Sequence, residues 1–439
     1  MFNRVKRRDF LKAAAFSAAA AGVSASAFPA PAFARERDVN SKLNIACIGV
    51  GNQGIFSVQN VKQENIVALC DVERKFLEDR KKEFPNAEPY QDFRKMYEEM
   101  ADKIDAVTVA TPDHTHAVAA LTGMKLGKHC YCEKPLAHTV SQIQQMMEIA
   151  KEKNLVTQMG TQIHAEPNYH RVVELIQSGA VGKISDVHVW CSASYGGRET
   201  LTDKHDIPAA LDWDLWVGPA QMRPYHPQYF SGAWRCWWAF GSGAIGDMAC
   251  HYMDLPYWAL GLRDPFTIEA FCEEKPNSEV APKRLEVRYT FQETDKHPAV
   301  NLSWHDGGLK PPIIKERNLP QWGSGVIFVG DKGMIMTDYW KHIVCPVLGA
   351  GESFTPPKPF LPDSIGHHKE WLKACKEGRP QDCLCHFDYS GSLAKAVQLG
   401  AAAFRTGTKL EWDAVHLKAV NCPAADPYLS EEPRKGWEY

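Results

Sequence analysis

The sequence has no C-x-x-C pair, although it contains 13 cysteines. An odd number without paired spacing suits neither a disulfide framework nor a four-cysteine zinc site. Four cysteines lie in apolar, strand-like runs and are interpreted as small core residues: Cys47, Cys70, Cys130 and Cys132. The run 383–386 (Cys-Leu-Cys-His) lacks a second half that would complete a zinc site. We therefore predict no metal ion.

Basic blocks and long apolar runs are missing beyond the N-terminal segment, and no later stretch approaches the length of a transmembrane helix. The formal net charge is -3, and removal of residues 1–34, which carry five basic side chains and Asp9, changes it to -7. A mildly acidic chain argues against nucleic acid or an anionic membrane as a partner. We find no internal repeat and no low-complexity linker. The roughly 400 residues that remain favour two domains over one.

Residues 1–34 have the pattern of an export signal. The run 6–12 (Lys-Arg-Arg-Asp-Phe-Leu-Lys) resembles a twin-arginine signal, and residues 32–34 (Ala-Phe-Ala) fit a cleavage site. The intervening stretch is short and rich in alanine, which favours a cleaved signal over a membrane anchor or a disordered basic terminus. We expect a periplasmic protein that is exported in the folded state.

A strand and a glycine-rich turn open the first folded segment. Residues 43–48 have the apolar pattern of a buried parallel strand, and three glycines follow with G-x-G-x-x-G spacing: Gly49, Gly51 and Gly54. A strand that enters a helix at such a turn directs free backbone N–H groups at one place, where the helix N-terminus adds a positive partial charge. The turn therefore suits a pyrophosphate, although the glycine pattern alone is nonspecific.

The second apolar run makes this interpretation more specific. It covers residues 66–70 and ends at Asp71, about 20 residues beyond the glycines, where an acid would bind a ribose 2′-hydroxyl. The alternative is a structural turn with Asp71 as a helix cap. The strand, the glycines and the acid occur together at the spacing of a dinucleotide-binding motif, which favours a dinucleotide site. The acid favours NAD, because a 2′-phosphate would meet a carboxylate, but the nearby Arg74 leaves NADP possible.

Strands and helices alternate as far as residue 160, which predicts a doubly wound parallel sheet over residues 42–160. The segment from Tyr90 to Met100 is predicted as a helix with Asp92 as its cap. Ligands of such sheets bind beyond the carboxyl ends of the strands. Two later strand ends supply polar groups at that edge: Thr111-Pro112 and Glu133-Lys134-Pro135.

The pattern changes over residues 161–422. Strand-like runs joined by turns predict an α/β domain with a large open, mostly antiparallel sheet, with runs at 266–272, 285–291, 300–305, 325–329 and 334–337. The exposed face of this sheet would need a partner, so we expect a homo-oligomer, a dimer or tetramer. Helices near 365–405 are expected to pack back on the first domain, and residues 423–439 are predicted to be an irregular tail.

A long aromatic and proline-rich segment, residues 195–238, interrupts the second half and is called the insert below. It holds five tryptophans: Trp213, Trp216, Trp234, Trp237 and Trp238. Tryptophan faces suit the C–H faces of a pyranose, yet we expect at least half of these rings to pack in a core or an interface. The candidate substrate-binding residues are Gln162, His164, Tyr169, Trp234 and Arg235.

Lys134, Asp247 and His251 are the candidate catalytic residues. An ammonium at a strand end beside the nicotinamide position can stabilise an alkoxide. Asp247 and His251 are four residues apart, so on a helix both side chains would reach one cleft, where a histidine suits the role of proton acceptor. Spacing alone also fits a capping aspartate beside a packed histidine.

In combination, these motifs resemble the Gfo/Idh/MocA family: the glycine turn, the acid, Thr-Pro-x-x-x-His, Glu-Lys-Pro and Gly-x-x-x-Asp-x-x-x-His. The resemblance covers residues 42–405 and implies a Rossmann domain joined to an α/β domain. It implies that Lys134, Asp247 and His251 are catalytic, with His251 as the acid/base. The implied cofactor-binding residues are Gly49, Gly51, Asn52, Gln53, Gly54, Asp71, Thr111, Pro112, His116, Glu133 and Lys134.

The resemblance leads to three functional hypotheses. The first is an NAD(P)-dependent oxidoreductase that acts on a sugar or cyclitol alcohol and retains its cofactor, because the periplasm has no free pool of NAD. The second is an NAD-dependent glycoside hydrolase or lyase that oxidises, eliminates and re-reduces the sugar. The third is a sensor or scaffold that uses a Rossmann shell, and the intact Lys134, Asp247 and His251 argue against it.

Overall fold

A parallel sheet forms the first half of the structure from the buried apolar runs of the sequence. The computed structural model describes residues 41–230, 232–347, 349 and 353–438, so the signal predicted for residues 1–34 lies outside the described residues. Six strands in this described part pair in parallel in the order β3-β2-β1-β4-β5-β6. They are β1 Asn44–Ile48, β2 Asn65–Cys70, β3 Glu88–Tyr90, β4 Ala106–Val109, β5 His129–Glu133 and β6 Thr157–Gly160.

Helices cover both faces of this sheet, and this explains why the sequence of β1 is continuously apolar. The helices are α1 Gln53–Val61, α2 Arg74–Glu83, α3 Phe93–Met100, α4 Asp113–Lys125 and α5 Val140–Glu152. Successive side chains of a strand point to opposite faces. Ile45 and Cys47 join one core cluster, Ala46 and Ile48 join the other, and all four are buried. A strand that is covered on both sides has no polar face, which explains why its sequence is an unbroken apolar run.

The predicted helix from Tyr90 to Met100 was partly wrong. Tyr90 ends the edge strand β3, and α3 begins at Phe93. The strand has only three residues, which is too short for a period to be recognised in the sequence. The predicted cap is confirmed, because the Asp92 carboxylate accepts the Arg94 backbone N–H at 2.9 Å.

The second sheet is mostly antiparallel, as predicted, and has nine strands in the described part of the chain. Their order is β13-β12-β11-β7-β10-β9-β8-β14-β15, and within it β7 and β10 pair in parallel. The strands are β7 Ile184–Trp190, β8 Thr267–Phe271, β9 Glu286–Phe291, β10 Val300–His305, β11 Gly325–Gly330, β12 Gly333–Thr337, β13 His342–Pro346, β14 Leu410–Asp413 and β15 Lys418–Ala419. The three strands from β13 onward were missed: β14 and β15 have four and two residues, and β13 is an edge strand without a buried residue to mark its alternation.

The remaining helices connect the two sheets, and residues 40–439 form one compact unit. They are α6 Pro167–Gln177, α7 Trp213–Val217, α8 Pro227–Phe230, α9 Cys250–Leu260, α10 Ile313–Glu316, α11 His367–Glu377, α12 Phe387–Thr406 and α13 Asp426–Leu429. Trp371 and Leu372 of α11 belong to the core cluster on one face of the parallel sheet. None of the described helices combines the length and apolar character that crossing a membrane requires.

The insert has a core of its own and is attached to the parallel sheet. Its five tryptophans are all buried, and Trp213 stacks on Trp216 with ring centroids 4.7 Å apart. The Arg74 N–H donates to the Ala210 carbonyl, and the Asp212 N–H donates to the Val72 carbonyl, each at 3.0 Å. These two bonds join the insert to the segment that follows β2, at the edge of the sheet where ligands bind.

The tail is more ordered than the predicted irregular segment, because it contains α13 and two anchoring side chains. The Arg434 guanidinium donates to Asp214 at 2.6 Å and to the Gly218 carbonyl at 3.0 Å. Trp437 is buried against Phe93. Such anchors depend on single side chains and leave no periodic pattern in the sequence, so the prediction missed them.

Replacing Trp437 with alanine is expected to lower the free energy of unfolding by about 3 kcal/mol, because the buried ring leaves a cavity. The ring packs 6.0 Å from Phe93, and the Arg94 guanidinium lies 4.0 Å from its centroid. Urea titration followed by fluorescence measures the loss. The control is Val415→Ala at a side chain that is 85% exposed, and equal midpoints for the two variants would contradict the anchoring role.

Candidate active site

A cleft runs along the carboxyl ends of β1, β2, β4 and β5, beginning at the glycine turn. It has a volume of about 480 Å³, within the range of natural ligand sites. Ten of the predicted cofactor residues line it: Gly49, Gly51, Asn52, Gln53, Asp71, Thr111, Pro112, His116, Glu133 and Lys134. Gly54 lies behind the turn, where a Cβ would be 2.0 Å from the Gly49 carbonyl oxygen, so only glycine lets α1 approach β1.

Asp71 lies at the predicted place but is engaged by the turn itself. One carboxylate oxygen accepts the backbone N–H groups of Val50 and Gly51 at 2.8 and 3.2 Å, and the other accepts that of Glu73 at 3.0 Å. Burial raises the pKa of Asp71 to about 6 despite these hydrogen bonds, which lower it. The acid therefore braces the glycine turn and also faces the cleft.

Arg74, which left NADP possible, is turned toward the insert. Its guanidinium donates to the Ala209 carbonyl at 3.2 Å and lines a neighbouring depression instead of the cleft. The group at the ribose end of the cleft is therefore the Asp71 carboxyl. A carboxyl without an adjacent arginine favours NAD over NADP.

Glu133 and His116 line the cleft, and each has a buried polar atom without a hydrogen-bond partner among the described residues. Glu133 accepts from Ser57 at 3.3 Å and from Gln162 at 3.0 Å, while its Oε2 is buried without a hydrogen-bond partner among the described residues. Burial raises the pKa of Glu133 to about 7. His116 Nε2 bonds the Thr111 carbonyl at 2.8 Å, and its Nδ1 is likewise buried and unpaired in the described part. Buried groups seldom stay unpaired, so these atoms fit the polar groups of a bound NAD.

Lys134 is held at the end of the cleft by a buried carboxylate. Asp247 Oδ1 accepts from the Lys134 ammonium and, at 2.8 Å, from the Arg235 guanidinium. The pKa of Asp247 lies well below its usual range, since the charges of Lys134 and Arg235 together outweigh the opposing effect of burial. The Arg235 guanidinium also lies 4.2 Å from the Trp234 ring. A fixed cation is therefore presented to the cleft.

His251 lies within electrostatic reach of this pair. Burial and the Lys134 charge lower the pKa of His251 to about 3, and Asp247 opposes that shift. At neutral pH the imidazole is therefore uncharged, the form in which one ring nitrogen can accept a hydrogen bond from a hydroxyl. Asp247 belongs to a π-helical turn, Ile245–Ala249, and His251 belongs to α9 immediately after it, so the predicted single helix face is divided between two helix types.

The predicted substrate residues occupy different places. Trp234 and Arg235 line the cleft. Gln162 bonds Glu133 and lines a separate depression on the other side of that bond. His164 and Tyr169 are fully buried and line none of the described cavities. The Tyr169 hydroxyl donates to the His251 carbonyl at 3.0 Å, so this residue positions the start of α9.

Two groups of possible metal ligands are explained by hydrogen bonds. Among the described residues, ligand atoms within 4.8 Å of one another occur in His164, Asp254 and Cys385 and in Asp203, His205 and His226. In the first group Asp254 accepts from His164 at 2.8 Å and from the Tyr389 hydroxyl at 2.7 Å. In the second, His226 Nδ1 accepts the Gln228 N–H at 3.1 Å, so its Nε2 carries the proton and is no ligand. The absence of a metal stays a prediction.

Sequence reasoning missed two groups beside Lys134. Asp113 begins α4 and lines the cleft, and burial raises its pKa to about 6 although Arg235 and Lys134 lower it. Tyr195 is half-buried, and its pKa is raised first by burial and then by the Asp247 charge. The position of Asp113 directly after a strand-end Thr-Pro was a usable signal. Nothing in the sequence pointed to Tyr195.

Comparison with family models places the chain among known proteins. Residues 43–161 match the Gfo/Idh/MocA oxidoreductase family with an NAD-binding Rossmann fold, and residues 168–296 match the C-terminal α/β domain of that family. The two matches together cover more than half of the chain. The chain belongs to the Gfo/Idh/MocA family. The predicted family and its NAD-binding Rossmann fold are thereby confirmed.

Two curated relatives and one solved structure illustrate the family. The levoglucosan dehydrogenase of Pseudarthrobacter phenanthrenivorans is 29% identical over 158 residues, 36% of this chain and 33% of the relative. The myo-inositol 2-dehydrogenase of Thermotoga maritima is 26% identical over 144 residues, 32% of this chain and 42% of the relative. The matches therefore span less than half the length of these relatives. The Bordetella pertussis WlbA dehydrogenase, solved with NADH and UDP-GlcNAcA, shares the fold with a TM-score of 0.60 at 16% identity, over 85% of this chain and 99% of that chain.

Proposed function

We propose that this chain is an NAD-dependent oxidoreductase that oxidises a secondary alcohol of a sugar or cyclitol. The observation that carries the proposal is the Lys134 ammonium in the cleft, fixed by the buried Asp247 carboxylate one helical turn before His251. The two curated relatives act on an anhydrosugar and a cyclitol, which supports this substrate class.

The proposed chemistry assigns one proton and one hydride. Bound NAD supplies the acceptor for the hydride. His251 takes the hydroxyl proton, and Lys134 donates a hydrogen bond to the alkoxide that develops on the same oxygen. The carbinol carbon loses the hydride and becomes a carbonyl, so the substrate loses two electrons and two hydrogens. Asp247 keeps the ammonium in place throughout, because the two side chains form an ion pair in which they are only 12% and 8% exposed.

The insert supports the further proposal that the cofactor is retained. Leu215, Trp216 and Phe230 form one wall of the cleft. The insert is joined to the end of β2 by backbone bonds and to the tail through Asp214 and Arg434. A wall that is anchored at both ends would slow the release of a nucleotide bound against it. Retention predicts that the reduced cofactor is reoxidised in place by a second substrate.

The test uses the purified chain and a panel of sugars and cyclitols, with the NADH absorbance band as the readout. We expect at least one compound to reduce the bound cofactor. His251→Asn is expected to lower that rate by about 100-fold or more, the usual contribution of a positioned proton acceptor. A matched control is His416→Asn. His416 is exposed, its ring forms a hydrogen bond with Asp413, and neither residue lines the cleft.

The outcomes separate the competing hypotheses. Reduction of the cofactor supports an oxidoreductase. Glycoside cleavage without net change in the cofactor supports the hydrolase or lyase hypothesis. No reaction with any compound, or full activity of His251→Asn, contradicts the proposal.

Export and oligomerisation are also proposed. The N-terminal run of basic residues and the Ala-Phe-Ala site support transport by the twin-arginine route to the periplasm. Mature protein that begins after Ala34 in a periplasmic fraction is the expected result. The open second sheet supports association of copies of the chain: its outer face carries a polar group around Ser303, while the apolar cluster around Trp190 is covered by the chain's own segment 313–322. We expect light scattering to give a dimer or tetramer.

A further inference from the structure

A second concave site lies near His251 and outside the nucleotide cleft. It has a volume of about 310 Å³ and is formed by Tyr252, the segment 322–324 before β11 and the turn 338–341 after β12. We refer to it as the aromatic depression. We propose that it is a subsite for a second sugar ring, so that the substrate is a glycoside or oligosaccharide whose first ring is oxidised beside Lys134 and His251. This inference rests on the proposed function.

The depression is connected to the proposed reaction centre by a pair of tyrosines. Tyr252 follows His251 on α9, and its ring stacks on Tyr339 with centroids 4.3 Å apart and planes 17° apart. The Tyr339 ring centroid lies 6.5 Å from that of His251. The Tyr339 ring, which lines the depression, therefore lies about the breadth of one sugar ring from the His251 ring. A ligand that reaches both places has at least two rings.

The chemistry of the depression suits a sugar ring better than a purely apolar ligand. Trp340 is 67% exposed. The Lys341 ammonium lies 4.5 Å from the Trp322 ring and 4.0 Å from the Asp338 carboxylate. A pyranose offers an apolar C–H face to an aromatic ring and hydroxyls to charged or polar groups around it. The mixture of aromatic faces with an ammonium and a carboxylate matches both features.

The turn that carries Trp340 is held in one conformation, so the exposed ring is preorganised. The Asp338 carboxylate accepts the backbone N–H groups of Trp340 and Lys341 at 2.8 and 2.9 Å. Asn168 donates to the Asp338 carbonyl at 2.9 Å, and the Thr337 hydroxyl donates to the Lys341 carbonyl at 3.1 Å. A ring presented on a fixed turn binds without a large ordering cost. A single exposed tryptophan would not by itself indicate a site.

The experiment compares monosaccharides with the matching disaccharides. The purified chain with its bound cofactor is tested on glucose against cellobiose and maltose, galactose against lactose, and xylose against xylobiose. We expect kcat/KM to be higher for at least one disaccharide. Trp340→Ala should lower that value about tenfold or more, mainly through KM, and leave the monosaccharide within about twofold. Phe266→Ala is the matched control at an aromatic ring that is 48% exposed and outside the described cavities.

The results distinguish failure of this inference from failure of the proposed function. Oxidation of monosaccharides with no disaccharide preferred, or equal losses for both classes in Trp340→Ala, overturns the subsite while leaving the oxidoreductase intact. A Trp340→Ala variant that changes its mass in light scattering and loses both activities identifies the depression as an interface between copies, which also overturns the subsite. No oxidation of any sugar contradicts the function itself and removes the basis of the subsite.

Discussion

Replacing Lys134 with methionine is expected to lower the rate of cofactor reduction by about 1,000-fold, with little effect on nucleotide binding. The ammonium lies at the end of the cleft and is bonded to Asp247. A donor aimed at a developing oxyanion contributes about 100- to 1,000-fold in rate, and this donor also carries a full charge. Methionine preserves the length and packing of the side chain, so the loss should appear in kcat. Single-turnover reduction of the bound cofactor by an active sugar measures it.

Two controls define the interpretation of the Lys134 result. Lys373→Met removes a lysine from the exposed side of α11 and should leave the rate unchanged. Nucleotide content after purification should change little, because the ten other predicted cofactor residues, among them the three glycines and Asp71, are untouched. A Lys134→Met variant within tenfold of the parent rate would mean that the lysine is structural.

The positions of the cofactor residues were predictable because they depend on a repeated local pattern. Apolar runs give the strands, parallel pairing brings their carboxyl ends to one edge, and the residue after each run therefore faces the cleft. Asp71, Thr111 and Glu133 follow this rule. Neither the hydrogen bonds of Asp71 to the turn nor the unpaired oxygen of Glu133 could be predicted. Both depend on atomic positions to within a fraction of an ångström, which a sequence pattern does not give.

The substrate side was less predictable because its contacts join distant, non-periodic segments. Arg235 was expected to meet a ligand directly, and it does line the cleft, but it also shares a carboxylate oxygen with Lys134. His164 was expected beside the substrate and instead pairs with Asp254 in a buried network. In sequence, a polar residue that completes an interior hydrogen bond looks the same as one that faces a ligand.

The insert's tryptophans divide between a core and the cleft. At least half were expected to pack in a core or an interface, and Trp213, Trp237 and Trp238 confirm this, since they are buried in core clusters. Trp216 and Trp234 line the cleft instead. Composition identifies a segment rich in aromatic residues, but it does not show which part of the protein or which ligand those residues contact. The backbone bonds to the end of β2 decide that, and only the folded chain brings them together.

Asp247→Asn is expected to lower the free energy of unfolding by about 3 kcal/mol, because it leaves two largely buried cations without their shared carboxylate. The side chains of Lys134, Arg235 and Asp247 are only 12%, 24% and 8% exposed. Asp113 would compensate in part: the Asp247 charge raises its pKa, so removing that charge favours its ionised form beside the same cations. Urea titrations at neutral pH measure the loss.

The pH dependence and a second substitution make the Asp247 prediction specific. The folded-state pKa of Asp247 lies well below its ordinary value of 3.8, so its contribution to stability is complete above about pH 4 and is lost as the pH falls through the folded-state pKa. The difference between parent and Asp247→Asn should therefore shrink in acid. Adding Arg235→Met to Asp247→Asn should cost less than the sum of the two single changes, because it removes one of the stranded cations. Asp295→Asn, at an exposed side chain, should show neither effect. Full additivity would mean that the two side chains are not coupled, and the fixed orientation of Lys134 would then need another cause.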